Sequence, residues 1–306
     1  MLAGVGTDRN GGRLGDATGV GILFILCAGL SFSFIDIGVR SLAGEYHVAQ
    51  VVWARYAVQM LLAPLVIVRG IHERLDPRVI AHTRNLKLQV GRSLFLLAAS
   101  VSSVTALQFI PLAETNAIGK VGPLFVTTLA IPLLGEVVGK RRWTAVVIGF
   151  VGALVIIRPG FGGPHWAMFL PLFAALFFAL YQIATRMLSN RDSPATTFFY
   201  TGLVGFVAAS LVVPFVWRTP SLGDAVVMAS LGLLASLGHF LLIQAFRRAP
   251  ASTLAPFGYV SLLWATLAGY VFFDHFPDIP TIVGALIIAA SGVYVFYREG
   301  IVARRA

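Results

Sequence analysis

Apolar residues run through this chain in long blocks, at approximately 18–39, 48–68, 88–110, 113–134, 142–158, 165–188, 195–217, 222–246, 252–273 and 279–297. Short polar or breaker-rich stretches separate them. Most blocks reach the roughly 20 residues that a helix needs to cross a bilayer, and the fifth and tenth are the shortest. The pattern predicts an all-α integral membrane protein with ten transmembrane helices. Composition agrees: 58% of the residues are hydrophobic and 12% charged, against roughly 45–50% and about 25% in soluble domains. The lone cysteine, Cys27, lies inside the first block and excludes an internal disulfide or a multi-cysteine metal site.

The chain also repeats itself. Residues 107–160 read as two spans joined by a basic turn, Lys140-Arg141-Arg142, and 243–300 read as a degraded copy. Gln108, Glu136 and Arg158 of the first copy recur as Gln244, Asp274 and Arg298 at nearly the same spacing. Two related halves follow, 18–160 and 164–298, meeting at the glycine- and proline-rich turn 158–164. Tails of 1–17 and 299–306 flank them.

The net charge of +10 would suggest a nucleic-acid partner in a soluble protein. Here the basic residues concentrate in the tails and in alternate turns, the longest being 69–87, read as a surface segment with a short interfacial helix. Arg40, Arg158 and Arg218 fall on the opposite side, and Arg55, Arg92 and Lys120 fall within blocks. That bias predicts cytoplasmic termini. Five spans is an odd number, so the halves are expected to lie inverted relative to each other, as in many secondary transporters.

A charge at mid-membrane costs at least about 2.5–3.5 kcal/mol on insertion scales, so each one asks for a partner or a wet cavity. Asp36 shares a helical face with Ser33 and Arg40, and an ion pair from Asp36 to Arg55 is one expectation, either structural or functional. On the fourth span Asn116, Lys120, Pro123 and Thr127 recur at helical spacing, which predicts a polar stripe facing the bundle interior. Snorkelling of Lys120 to the surface is the competing reading. Pro123 would free a backbone carbonyl where the helix lines a cavity.

On the ninth span Ser252, Pro256, Tyr259 and Leu263 repeat that spacing, with Trp264 beside them. Prolines interrupting corresponding spans in both halves point to a substrate site between the repeats. Tyr181, Gln182, Thr185 and Arg186 on the sixth span, and His239 and Gln244 on the eighth, are further donors and acceptors. The candidate substrate-binding set is therefore Lys120, Arg55, Asp36, Asn116, Tyr181, Tyr259, Trp264 and His239, with Pro123 and Pro256 as helix breaks. Arg92 is expected to be a surface anchor or a gate, and Glu136 and Asp274 to pair with basic neighbours or cap a following helix. Gly232/Ser236 and Ala285/Ala289 are spaced for close helix approach.

Several motifs together resemble the drug/metabolite transporter superfamily in its EamA-type branch. They are Phe109-Ile-Pro-Leu-Ala-Glu114, Gly122-Pro123-Leu124, Leu134-Gly135-Glu136, Gly149-Phe-Val-Gly152 and Ile157-Arg-Pro-Gly160 in the first half. In the second they are Ala249-Pro-Ala251, Ala255-Pro-Phe257, Gly269-Tyr-Val-Phe-Phe-Asp274 and Ser291-Gly-Val-Tyr294. The usual Gly-Glu at the end of the ninth span is Phe273-Asp274 here. The resemblance implies a bacterial inner-membrane carrier working by alternating access on small organic metabolites. Relatives in the family export amino acids and their derivatives, or import S-adenosylmethionine or vitamins.

An intramembrane enzyme and a non-transporting receptor or channel are the alternatives. His72-Glu73 lacks the second histidine of a zinc-hydrolase helix, and no motif ties Ser291 or His239 into a nucleophilic dyad. Neither an ATP-binding loop nor a carbonyl selectivity filter is present in the sequence. The expected partners are a small organic solute, the lipid bilayer and a coupling proton, with Asp36 and Glu114 as the acids considered for it. No cofactor, metal or nucleic acid is expected, and either a monomer or a homodimer is compatible with the repeat.

Overall fold

The structure is a computed structural model that describes residues 9–70, 82–134, 140–158, 166–188, 191–248 and 257–303. The helices in chain order are α1 (Arg9–Ser41), α2 (Val48–Gly70), α3 (Leu86–Phe109), α4 (Leu112–Gly119), α5 (Gly122–Leu134) and α6 (Lys140–Ile157). A 3-10 turn, Ala167–Phe169, leads into α7 (Leu170–Leu188), followed by α8 (Pro194–Val216), α9 (Leu222–Arg248), α10 (Val260–Phe273) and α11 (Ile279–Ala303). No strand occurs among the described residues.

Local chemistry sets the helix ends. Ile110, held extended before Pro111, closes α3, and Pro111 then starts α4. Ser193 caps α8 by accepting the Thr196 amide at 3.1 Å, with Pro194 in the first turn. At the start of α9, Ser221 accepts the Asp224 amide at 3.2 Å. Asp274 ends α10 in a left-handed conformation, φ 50°, and the following amide of His275 returns to the Gly269 carbonyl at 2.9 Å. The expectation that Asp274 caps the next helix is thereby corrected. Asp278 does so, accepting the Thr281 amide at 3.0 Å.

The bundle is assembled mainly by pairing helices distant in sequence. α1 packs on α9 and α10, α2 on α8 and α9, α3 on α7 and α8, α5 on α7, α4 on α10, and α6 on α11. One apolar core gathers Leu42, Tyr56, Leu107 and Leu231, and a second gathers Ile118, Leu124, Ile156 and Ile288. The α6–α11 contact is close enough that a Cβ on Gly152 would lie 2.9 Å from the Gly284 carbonyl oxygen. Gly284 makes this approach, and Ala285 beside it packs against the second core. Gly232 does stand in a close approach, against Val58 and the Arg55 carbonyl.

Large apolar side chains face outward along the helices, while Arg92 lies buried among them. Phe215 is 87% exposed and Leu61 79%, whereas Arg92 is 1% exposed. Such an arrangement is stable only where hydrocarbon surrounds the protein. Among the described residues, five helices are long and apolar enough to cross a membrane, within Gly19–Ser41, Leu86–Phe109, Ala167–Thr185, Thr196–Val216 and Leu222–Leu242. Shorter apolar helical segments cover Val48–Leu62, Trp143–Ile157, Val260–Phe273 and Ile279–Tyr294. The chain is a multi-pass membrane protein.

Candidate functional site

The fourth apolar block is two helices, not one. It breaks at Lys120 and Val121, between α4 and α5. Pro123 sits in the first turn of α5, where a missing amide hydrogen leaves nothing unpaired. Beyond the break, Thr127 turns its hydroxyl onto the Pro123 carbonyl one turn earlier, 3.0 Å away.

The ninth block has a matching discontinuity. Tyr259 forms a turn ahead of α10, and Leu263, expected on the interior stripe, is 68% exposed. Pro256 and Ser252 lie outside the described residues, as does Glu136. The two breaks meet. Lys120 donates from Nζ to the Gly258 carbonyl at 3.0 Å, and the same carbonyl accepts the Ser261 hydroxyl at 3.0 Å. The Lys120 ammonium therefore turns into the bundle instead of snorkelling to its surface.

Polar groups collect around this junction. Asn116 donates from Nδ2 to Asp36 Oδ2 at 2.9 Å, and Asp36 interacts electrostatically with Lys120 and Arg55. The expected ion pair between Asp36 and Arg55 does not form. Arg55 donates instead to the Ser100 hydroxyl at 2.5 Å and lies over the Tyr56 ring, 5.3 Å from its centroid. Tyr259 Oη and Trp264 Nε1 are both buried without a hydrogen-bond partner. Tyr259 reaches α11 at Gly292, where a Cβ would overlap its hydroxyl. Trp264 lines an apolar groove of about 170 Å³ between α1 and α10, with Ser33 and Ile37 opposite.

His239 packs edge-on against Phe32, centroids 5.4 Å apart, and interacts electrostatically with Arg55 and Arg92. Arg92 is not the surface anchor that its position at the start of a span suggested. It is wholly buried between α3, α7 and α8, donating to the Thr185 hydroxyl at 3.0 Å, the Thr197 carbonyl at 2.7 Å and the Thr201 hydroxyl. Its guanidinium lies over the Tyr181 ring, 4.9 Å from the centroid, which brings Tyr181 into the interior. Gln182, on the next position, faces out. The hydroxyl-bearing positions Thr185, Thr197 and Thr201 were the available signal for burying an arginine here.

Two clusters close the ends of the bundle. At one end Arg158 pairs with Asp278, Arg218 with Glu45 at 2.9 Å, and Arg40 donates to the Leu107 carbonyl at 2.5 Å. Glu114 is buried beside that end and interacts with His275, Asp278 and Arg158. At the other end Asp192 accepts from Thr83 at 2.5 Å, Gln89 at 2.8 Å and Asn85 at 3.3 Å. Burial alone would raise the Asp192 pKa, but these three donors hold it below the usual carboxylate value. No group of three or more potential metal ligands occurs among the described residues.

Comparison with known proteins identifies the kind of molecule this geometry serves. The EamA-like transporter family profile matches residues 19–158 and again 165–297. The S-adenosylmethionine uptake transporter of Rickettsia bellii is 28% identical, covering 92% of this chain and 94% of its own. The riboflavin transporter of Vibrio cholerae is 28% identical over 93% and 95% of the two chains. The pseudopaline exporter CntI of Pseudomonas aeruginosa is 24% identical over 89% and 94%. A crystal structure of another protein superposes with a TM-score of 0.61 at 15% identity, covering 91% of this chain and 96% of that one, a likeness of fold alone.

Proposed function

The chain belongs to the EamA-like transporter family, and from that premise we propose a secondary carrier that moves a small organic metabolite across a bacterial inner membrane by alternating access. Amino acids and their derivatives, or S-adenosylmethionine-like and vitamin-like solutes, are the substrate classes to test first. The observation that carries this reading is the Lys120 to Gly258 contact, which joins the helix breaks of the two halves beside a cluster of polar interior groups. Helix ends freed inside a bundle supply unpaired backbone dipoles, the means by which broken-helix carriers hold polar solutes.

In this reading the fourth and ninth spans are α4/α5 and α10, and the two units are 18–160 and 164–298, inverted relative to each other with both termini cytoplasmic. Two facts support it. The family profile matches twice in tandem. The helix pairings also come in counterpart sets: α1 on α9 mirrors α3 on α7, α2 on α9 mirrors α3 on α8, and α1 on α10 mirrors α5 on α7. Lys120, Asp36 and Asn116 bind the polar end of the solute from the first half. Tyr259 and Trp264 offer an aromatic wall and two free donors from the second. Arg55, His239 and Tyr181 extend the polar surface toward the cytoplasm. Rocking of one half against the other exposes the junction to each side in turn, and Asp36 is the acid placed to carry a coupling proton.

Counterflow into liposomes tests the reading. Purified protein, preloaded with an unlabelled candidate solute, is expected to accumulate the labelled form transiently and saturably. Uptake that does not saturate would indicate a channel. No exchange of any solute from a complete cell extract would remove the carrier reading.

A further inference from the structure

The bundle interior holds two guanidinium groups that form no ion pair among the described residues. Arg92 is the largest of the fully buried side chains, and its Nε is buried without an acceptor. Arg55 also has a buried Nε with no acceptor. Among the described residues neither forms an ion pair; their partners are hydroxyls, one carbonyl and aromatic faces. Asp36, which interacts electrostatically with Arg55, is shared with Lys120 and already accepts from Asn116. Arg92 stands on α3 and Arg55 donates to Ser100 further along the same helix, so both guanidinium groups are held against α3.

A buried guanidinium without a counter-charge is strongly unfavourable, and two in one region repel each other. Three hydroxyl or carbonyl contacts engage the terminal nitrogens of Arg92 but leave its Nε–H and its charge unmatched. A bound anion would satisfy both, because the free Nε–H and a neighbouring terminal N–H form the fork that holds two oxygens of one oxyanion. Lysine at the helix break and arginine deeper in the bundle would then offer an anionic solute successive holding points.

We propose that Arg55 and Arg92, both held against α3, form an anion subsite of the carrier, and that the transported solute bears a carboxylate or phosphate group. The proposal rests on the carrier reading and narrows it to anionic or zwitterionic solutes. A purely cationic solute would meet Lys120, Arg55 and Arg92 with only Asp36 to balance them.

The test uses the full chain in lipid nanodiscs, with thermal unfolding followed in sodium succinate, in sodium phosphate and in sodium chloride at matched ionic strength. Succinate or phosphate is expected to raise the unfolding midpoint of the wild type above that in chloride, and the more effective salt identifies the oxyanion class. Arg55→Gln and Arg92→Gln are expected to weaken that response on the order of tenfold in apparent affinity, as loss of one charge-assisted hydrogen bond implies. Should Arg92→Gln fail to fold, Arg92→Lys keeps the charge without the fork and is expected to weaken the response as well. No oxyanion response in the wild type, or an unchanged one in Arg55→Gln and both foldable Arg92 variants, overturns the proposal. Intact counterflow of a solute beside a failed oxyanion response would sink the subsite alone; absent counterflow would sink the carrier reading.

Discussion

Lys120 and Gly258 meet at 3.0 Å, one from each half of the chain, and each stands where a helix breaks. The lysine is a point charge with rotatable donors, and the carbonyl is a dipole left free by the turn at Tyr259. Their contact is a charge-assisted hydrogen bond, stronger than a neutral one. It is also easily exchanged, because a solute carboxylate would be a better acceptor for the ammonium than a peptide carbonyl. Binding and the relation between the halves are thus linked through one side chain.

Lys120→Ala is therefore expected to lower counterflow at least about tenfold, the effect of losing a charged hydrogen bond worth roughly 1.5–3 kcal/mol. Lys120→Arg, which keeps the charge but not the shape, is expected to retain part of the rate. Transport by Lys120→Ala at wild-type rate, at matched membrane levels, would make the contact a structural staple.

Asp36 and Asn116 separate charge from positioning. Asp36→Asn keeps a group able to pair with Asn116 but removes the carboxylate that interacts with Lys120 and Arg55. Asn116→Ala keeps the carboxylate and releases one donor, worth about 0.5–1.5 kcal/mol. Counterflow is expected to fall at least about tenfold in the first and about two- to tenfold in the second. Equal losses would show that the hydrogen bond, not the charge, is what the site uses.

The membrane class, the helical segments and the likeness of the two halves could be read from the chain because hydrophobic length and spacing are properties of sequence alone. The breaks could not be placed that way. Pro123 drew attention to the right neighbourhood, but proline is tolerated in the first turn of a helix, and the chain breaks just before it. Counting at helical spacing also places Leu263 on the interior stripe, whereas it is 68% exposed. The place of Arg92 near the start of a span suggests a surface anchor or a gate, and its burial excludes only the anchor. What buries it is a set of threonines on two distant helices, information that depends on tertiary pairing.

Asp192 gives the end of the bundle near α3 a pH dependence. Its folded pKa lies below the ordinary value, since donors from Thr83, Gln89 and Asn85 favour the carboxylate over what burial would do. A depressed folded pKa contributes stability that is present above the unfolded value, about 3.9, and disappears as pH falls through the folded one. The difference in unfolding midpoint between wild type and Asp192→Asn is accordingly expected near neutral pH, and to vanish below about pH 3–4. The partly exposed site limits the effect to about 1 kcal/mol. A difference that stays constant with pH would assign the role to hydrogen-bond geometry alone.

Gly292 makes room for Tyr259. A Cβ at 292 would overlap the tyrosine hydroxyl and lie 2.7 Å from Cζ, so Gly292→Ala must push the ring off its turn. Overpacking of this kind costs about 1–3 kcal/mol. Because the hydroxyl is buried without a partner, removing it costs little by itself, and Tyr259→Phe is expected to be close to neutral in stability. Combining Gly292→Ala with Tyr259→Phe should recover part of the lost stability, since the worst overlap is gone while the one at Cζ persists. The coupling in this double-mutant cycle, read from unfolding midpoints, is expected to be about 0.5 kcal/mol or more. Additive effects would mean that the Gly292 contact does not hold Tyr259. Counterflow should follow a different order: if the hydroxyl is kept free for the solute, Tyr259→Phe lowers transport although it leaves stability alone, and the double variant regains stability without regaining rate.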